Sequence, residues 1–198
     1  MHLNSKLLFQ KYALPYFADG MRVLEIGPDA VPSTYQGIVG KSGITWHTID
    51  MFDSPQLTYR SQDEYTFPIE TGSYDLVLSA QVIEHVRKIW NWMSEVSRVC
   101  RPGGTVITIN PVSFRYHEAP IDCWRIYPEG MKALYDDAGI DTQLSTAEAL
   151  EPFSLGLRHG VKLVRKMLFS RKIPSTGLPP ILDTISIGKK RIARQAAA

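Results

Sequence analysis

Apolar residues in this chain fall into two kinds of run. Near-continuous, β-branched runs occupy residues 22–26, 44–50, 57–61, 74–80 and 105–109. Their length and composition predict strands buried on both faces. Between them lie stretches with apolar positions every three or four residues. Leu3, Leu7, Leu8 and Tyr12 predict a helix over 3–17 that Pro15 and Gly20 bring to an end. Ile89, Trp92, Met93, Val96, Val99 and Cys100 form the stripe of an amphipathic helix over 89–101, broken by Pro102-Gly103-Gly104. Pro128 starts a third helix over 128–138, with Met131, Leu134 and Tyr135 on one face and Gly139 after its end. Residues 141–146 and 181–189 add two candidate strands. Strands alternating with helices predict an α/β architecture with a mostly parallel sheet.

The segment 21–50 organises the rest. It reads as strand, turn, short helix and strand, and Asp50 stands 23 positions after Gly27. A Rossmann-like sheet binds a nucleoside with such a unit. Glycine lets the backbone come close, and a carboxylate about 20 residues on accepts from the ribose hydroxyls. The turn itself, Gly27-Pro28-Asp29-Ala30-Val31-Pro32, has one glycine and one acid. It is poorly made for a pyrophosphate, which wants several bare amides and no carboxylate. A nucleoside ligand without phosphates fits better.

Val23-Leu24-Glu25-Ile26-Gly27 resembles the first motif of class I S-adenosylmethionine-dependent methyltransferases. Three further stretches resemble that family in order and spacing. They are Asp63-Glu64 ahead of Phe67-Pro68-Ile69, the run from Ser73 to Val86, and the run from Glu95 to Val106. The resemblance implies a Rossmann-like class I methyltransferase fold with a mostly parallel seven-stranded sheet and helices on both faces. It implies S-adenosylmethionine as cofactor and S-adenosylhomocysteine as product. Carried over residue by residue, Glu25 organises the loop and the methionine end, and Asp50 grips the ribose. Met51 and Phe52 pack on adenine, and Asp63, with Glu64 as the alternative, reads its amino group. Gln81 lies near the methionine portion. The glycine loop departs from the family pattern, with Asp29 where a glycine is common. Asp29 is expected to hold the turn and face the methionine ammonium.

The acceptor side follows the fifth strand. Residues 114–127 are rich in rings and titratable groups, which suits a polar acceptor better than a plain connector. The pattern His117-x-x-Pro120-x-Asp122-x-Trp124-Arg125 resembles methyltransferases found with bacterial cell-surface polysaccharide biosynthesis. His117 is the first candidate base for a hydroxyl acceptor, followed by His85 and Asp122. Tyr116, Trp124 and Arg125 are candidate acceptor contacts. The structural alternative is a loop closed by an Asp122–Arg125 ion pair. No His, Asp or Glu cluster has metal-ligand spacing in the sequence, so no metal is expected. The reading is O-methylation of a sugar or glycan-related molecule. Its rival, prompted by the depleted glycine loop, is an inactive cofactor-binding partner or regulatory subunit.

The net charge of +2 conceals an asymmetry. From Glu151 onward there are ten bases and two acids; before it, twelve bases and eighteen acids. The expectation is one domain over 1–198 with a basic helical insertion at 151–180. Its apolar face, Leu157, Val161, Val164 and Leu168, runs beside Arg158, Lys162, Arg165 and Lys166. Residues 157–172 could meet an anionic membrane, a lipid-linked substrate or a second copy of the chain. The acidic body and the lack of an aromatic–basic strand pattern argue against nucleic acid. Two cysteines and no apolar run of spanning length point to a cytoplasmic protein, with membrane association as the variant.

Overall fold

The computed structural model describes residues 3–118, 120–151 and 181–192. The strands are Arg22–Ile26 (β1), Thr45–Asp50 (β2), Tyr59–Arg60 (β3), Tyr74–Ala80 (β4), Cys100–Pro111 (β5), Ile140–Glu148 (β6) and Asp183–Lys190 (β7). They form one sheet in the order β3-β2-β1-β4-β5-β7-β6. The first five are parallel, and β7 runs antiparallel between β5 and β6. The helices are Leu3–Leu8 (α1), Thr34–Val39 (α2), Ile89–Val99 (α3) and Pro128–Asp137 (α4).

The expected seven strands and mostly parallel order are present. The expected strand over 57–61 shrinks to two paired residues at the sheet edge. There Thr58 and Thr48 bond each other's amides through their hydroxyls instead of extending the ladder. The expected helix over 3–17 is broken into α1, a wide π turn at Phe9–Ala13 and a 3-10 turn ending at Tyr16, where Pro15 cannot donate an amide. The basic helix expected within 151–180, including 157–172, falls almost wholly on 152–180, outside the described residues.

Strand alternation explains the two cores. Leu76 and Leu78 point to one face and Val77 to the other. On one face Leu24, Ile26, Ile49, Val77 and Val106 pack against Trp92, Met93 and Val96 of α3 and Met131 and Tyr135 of α4. On the other, Val23, Leu76, Leu78, Ile107 and Ile187 pack against Leu8, Phe9 and Tyr35. Each fully buried aliphatic side chain of this kind contributes about 1.5–3 kcal/mol. The chain passes from β1 out to β2 and β3, then returns across β1 to β4. The order therefore reverses at β1/β4, and the carboxyl ends of those strands open a crevice. Ligands bind at such switch points.

Tyr135 ties α4 to the sheet at two points. Its fully buried hydroxyl lies 3.0 Å from Thr108 Oγ1 and donates to the Ser186 carbonyl at 3.0 Å. Tyr135→Phe leaves both partners buried and short of a bond, so unfolding in denaturant should show a loss of about 1–3 kcal/mol. A change under about 0.5 kcal/mol would mean these bonds are replaced rather than lost.

Candidate functional site

A cleft of about 470 Å³ opens at the carboxyl ends of β1, β2 and β4. Gly27 shapes its floor. Its φ is +68°, and a Cβ there would lie 2.4 Å from Val82 Cγ2, so only glycine fits the turn. Asp50 ends β2 on the cleft wall. Its Oδ1 accepts from the amides of Met51 and Phe52 at 2.6 and 3.1 Å, which leaves Oδ2 for a ligand. Met51 and Phe52 are 44% and 68% exposed and line the same wall. Such exposure of large apolar groups at a cleft offers a surface to a flat ring.

Asp63 and Glu64 also line the cleft, and they divide the work. Asp63 Oδ1 caps the Tyr65 amide at 2.6 Å. Glu64 is held by Tyr65 and by Arg87, at 2.7 and 3.0 Å. Gln81 lines the cleft with an unusual φ of +59° and donates from Nε2 to Ser5 Oγ at 2.9 Å. Ser5 and Asn4 of α1 are fully buried, and Asn4 donates to Asp183 Oδ2 at 2.8 Å. Helix α1 is thus bound to β7 and Gln81 by a buried polar network, more than the plain apolar packing its periodicity suggested.

Two expected cofactor contacts lie off the cleft wall. Glu25 projects from the opposite face of β1, where Ser33 and Trp46 donate to its Oε2 at 2.5 and 2.8 Å. Burial pushes its pKa up to about 7 against these two bonds. It braces the turn rather than touching the cleft. Asp29 accepts from the Thr34 amide and hydroxyl at 3.0 and 2.7 Å. Burial opposes its charge, but the Thr34 bonds outweigh that and hold its carboxyl below the ordinary range. With Ser33 capping Gln36, Asp29 fixes the start of α2.

The acceptor segment folds inward on itself. Arg125 directs all five N–H groups to protein oxygens: the Phe114, Arg115 and Trp124 carbonyls and both oxygens of Asp122, the latter at 2.5 and 2.6 Å. Arg125 has no donor left for an acceptor molecule. Its bonds to Asp122 also hold that carboxyl down at about 2, despite burial, so Asp122 cannot take a proton near neutrality. Trp124 donates to the Val86 carbonyl at 2.8 Å and packs on the core. These three expected site residues bond to the protein itself in this structure. Tyr116 remains 69% exposed, bonded to Glu118.

The structure brings the two histidines together. His85 lines the cleft, and its ring meets that of His117 edge-on at 5.0 Å. His85 Nδ1 lies 2.5 Å from the Ile121 carbonyl, and His117 Nδ1 lies 3.2 Å from the Arg115 carbonyl and 3.4 Å from Asp122. A carbonyl only accepts, so each ring donates from Nδ1, and Nε2 is its other nitrogen. Beneath them is Glu84, missed in the sequence as a functional residue. It is 1% exposed, and neither carboxylate oxygen has a hydrogen-bond partner among the described residues. Burial lifts its pKa to about 8. The signal available in the sequence was an acid next to His85 in a largely apolar stretch. Asp183 in the apolar run 181–189 carried the same signal.

The Methyltransferase domain family model matches residues 45–108. An uncharacterized methyltransferase of Mycobacteroides abscessus is 32% identical over 102 residues, which cover 48% of this chain and 34% of that protein. The chain thus spans about a third of that relative. Among solved structures, a SAM-dependent methyltransferase from Archaeoglobus fulgidus superposes with a TM-score of 0.64 at 16% identity, over 93% of this chain and 92% of that one. This chain has the class I methyltransferase fold. A Haemonchus contortus phosphoethanolamine N-methyltransferase bound to phosphomonomethylethanolamine and S-adenosylhomocysteine superposes with a TM-score of 0.62 at 16% identity, over 96% of this chain and 53% of that one. A second structure of that Haemonchus enzyme is in complex with S-adenosyl-L-methionine. Among the described residues Asp50, Asp63 and Glu64 line the cleft while no Lys or Arg does, which suits a sulfonium and repels a pyrophosphate.

Glu25 and Glu84 give the methyltransferase fold a pH signature. Both keep their protons in the folded state to about pH 7 and pH 8, against an ordinary value of 4.5. The stability they contribute is complete below pH 4.5 and is lost as pH rises through those values. The melting temperature of chelator-treated protein should fall from about pH 5 to about pH 8. Glu84→Gln should flatten the upper part of that slope; an unchanged slope would mean Glu84 ionises normally.

Proposed function

We propose that the protein transfers a methyl group from S-adenosylmethionine to the hydroxyl of a sugar or glycan-related acceptor. The observation that carries this reading is the cleft at β1/β4, which pairs a free Asp50 oxygen with a wall that holds no Lys or Arg among the described residues. In this reading Asp50 Oδ2 takes the ribose hydroxyls, Met51 and Phe52 cover adenine and Asp63 receives its amino group. Gln81 and the turn at Gly27 border the methionine end. When bound, the cofactor supplies a methyl already activated by a sulfonium, so the protein's part is alignment, which can lower a barrier by about 7–11 kcal/mol.

A hydroxyl acceptor must also lose a proton. The Nε2 atoms of His85 and His117, the ring nitrogens that bond no carbonyl, mark where it leaves, with His117 the more accessible side chain. Asp122 and Arg125 act as positioning residues that hold the His117 loop. Exposed Tyr116 beside His117 offers a ring to a sugar face. An inactive partner subunit is less well supported. The turn closes despite its single glycine, because Asp29 and Ser33 secure the first turn of α2.

Calorimetric titration of the protein with S-adenosylmethionine, S-adenosylhomocysteine and NAD tests the cofactor. The first two should bind and NAD should not; the reverse overturns the reading. Asp50→Ala should weaken cofactor binding at least about tenfold, or 1.4 kcal/mol. Nucleotide sugars, lipid-linked glycans and phosphoethanolamine are then compared by homocysteine release. His117→Ala should lower turnover with the true acceptor while leaving cofactor affinity intact.

A further inference from the structure

Glu84, His85 and His117 are drawn from two parts of the chain, one after β4 and one in the loop after β5. Each offers a ligand atom, and these atoms all lie within 4.8 Å of one another. Glu84 Oε1 is 3.8 Å from His85 Nε2. The electronic arrangement is one-sided. Both imidazoles have their N–H fixed on the carbonyl side, and Glu84 has two buried oxygens without a donor among the described residues. A buried carboxyl and two imidazoles therefore converge on one point. A buried carboxylate without a donor costs several kcal/mol unless a proton or a cation satisfies it.

We infer that Glu84, His85 and His117 form a binding site for a divalent transition ion at the acceptor end of the cleft. Two imidazoles and a carboxylate suit zinc, cobalt, nickel, iron or manganese better than magnesium. Carbonyls on the Nδ1 atoms are the usual outer support of metal-binding histidines, and Asp122 adds a carboxylate beside His117. A tetrahedral ion with bonds of about 2.1 Å spaces its ligands by about 3.4 Å. The cluster reaches that by a closure of about 1.4 Å at its widest, within reach of His117 on its loop.

Three protein ligands leave a position open. On the methyl-transfer reading above, the acceptor hydroxyl occupies it. A bound ion would lower the hydroxyl's pKa and fix the oxygen, so that the proton which the histidines receive in the metal-free reaction would leave to solvent instead. Local sequence pattern does not reveal the cluster, because Glu84-His85 and His117 stand 32 positions apart and share no metal motif.

The test is titration of chelator-stripped, full-length protein with Co²⁺, read by visible absorption and calorimetry. One ion should bind per chain with a d–d spectrum of nitrogen–oxygen ligation. Affinity should weaken as pH falls, because protons compete for the same atoms. His117→Ala and Glu84→Gln should each weaken binding at least about tenfold. His117→Ala alters a half-exposed loop side chain, and circular dichroism confirms its fold. Cys123→Ser should change nothing, although that exposed thiol is next to Glu84 through a backbone bond. No Co²⁺ spectrum in folded protein, binding unaffected by both ligand variants, or binding lost with Cys123 would each overturn the inference. The cofactor titration is run separately in chelator. Cofactor binding without Co²⁺ binding refutes the metal site alone, whereas Co²⁺ binding without cofactor binding refutes the methyltransferase reading and leaves the metal site.

Discussion

The ends of β1 and β4 come so close that a single methyl group would not fit between them. Gly27 meets Val82 across that gap, and the rest of the cleft depends on it. The left-handed turn at Gly27 sends the chain away from the sheet toward α2. Its amide stays bonded to the Ile49 carbonyl at 2.9 Å, which keeps the ends of β1 and β2 level. Asp50 then lies one residue beyond that level, facing the space the turn has vacated. Neither the wall of acids nor the apolar platform of Met51 and Phe52 would border one cavity without this approach.

Around that gap the polar residues sort into those satisfied by the protein and those left for something else. Asp29, Glu64, Asp122 and Arg125 are satisfied, and they stiffen the loops that carry them. Among the described residues, one oxygen of Asp50, the Nε2 atoms of two histidines and both oxygens of Glu84 are not. Each of these groups offers an electron pair once it has lost its proton. A site of this kind attracts cations and hydrogen-bond donors, which is the chemistry of a sulfonium nucleoside at one end and of a metal or hydroxyl at the other.

Much of the fold was legible because a parallel sheet writes itself in long apolar runs. The bounds 74–80 match β4 and 22–26 match β1 residue for residue. Asp50 was legible because its distance from Gly27 is set by one strand–helix–strand unit. Side-chain direction was harder. Glu25 and Ile26 are neighbours on opposite faces of β1, and only Ile26 reaches the cleft. The loop after β5 was the least legible part. Its composition promised an acceptor surface, yet Arg125 and Trp124 face inward, because a five-donor guanidinium surrounded by carbonyls has more to gain there than in water. The grouping of Glu84 with His117 depends on two distant loops meeting, which local pattern does not encode.

The position of β7 bears on how the chain assembles. It is the last described strand in sequence but not the last in space, since it lies between β5 and β6. Among the described residues β6 pairs with no other strand, so it has no ladder partner until residues 183–190 have been made. The fully buried Asn4 and Ser5 wait equally long for Asp183. Contacts this distant in sequence form late and slow folding. Until β7 is made, β5 lacks the strand that covers its outer edge among the described residues, and an unpaired edge of that kind is where chains associate.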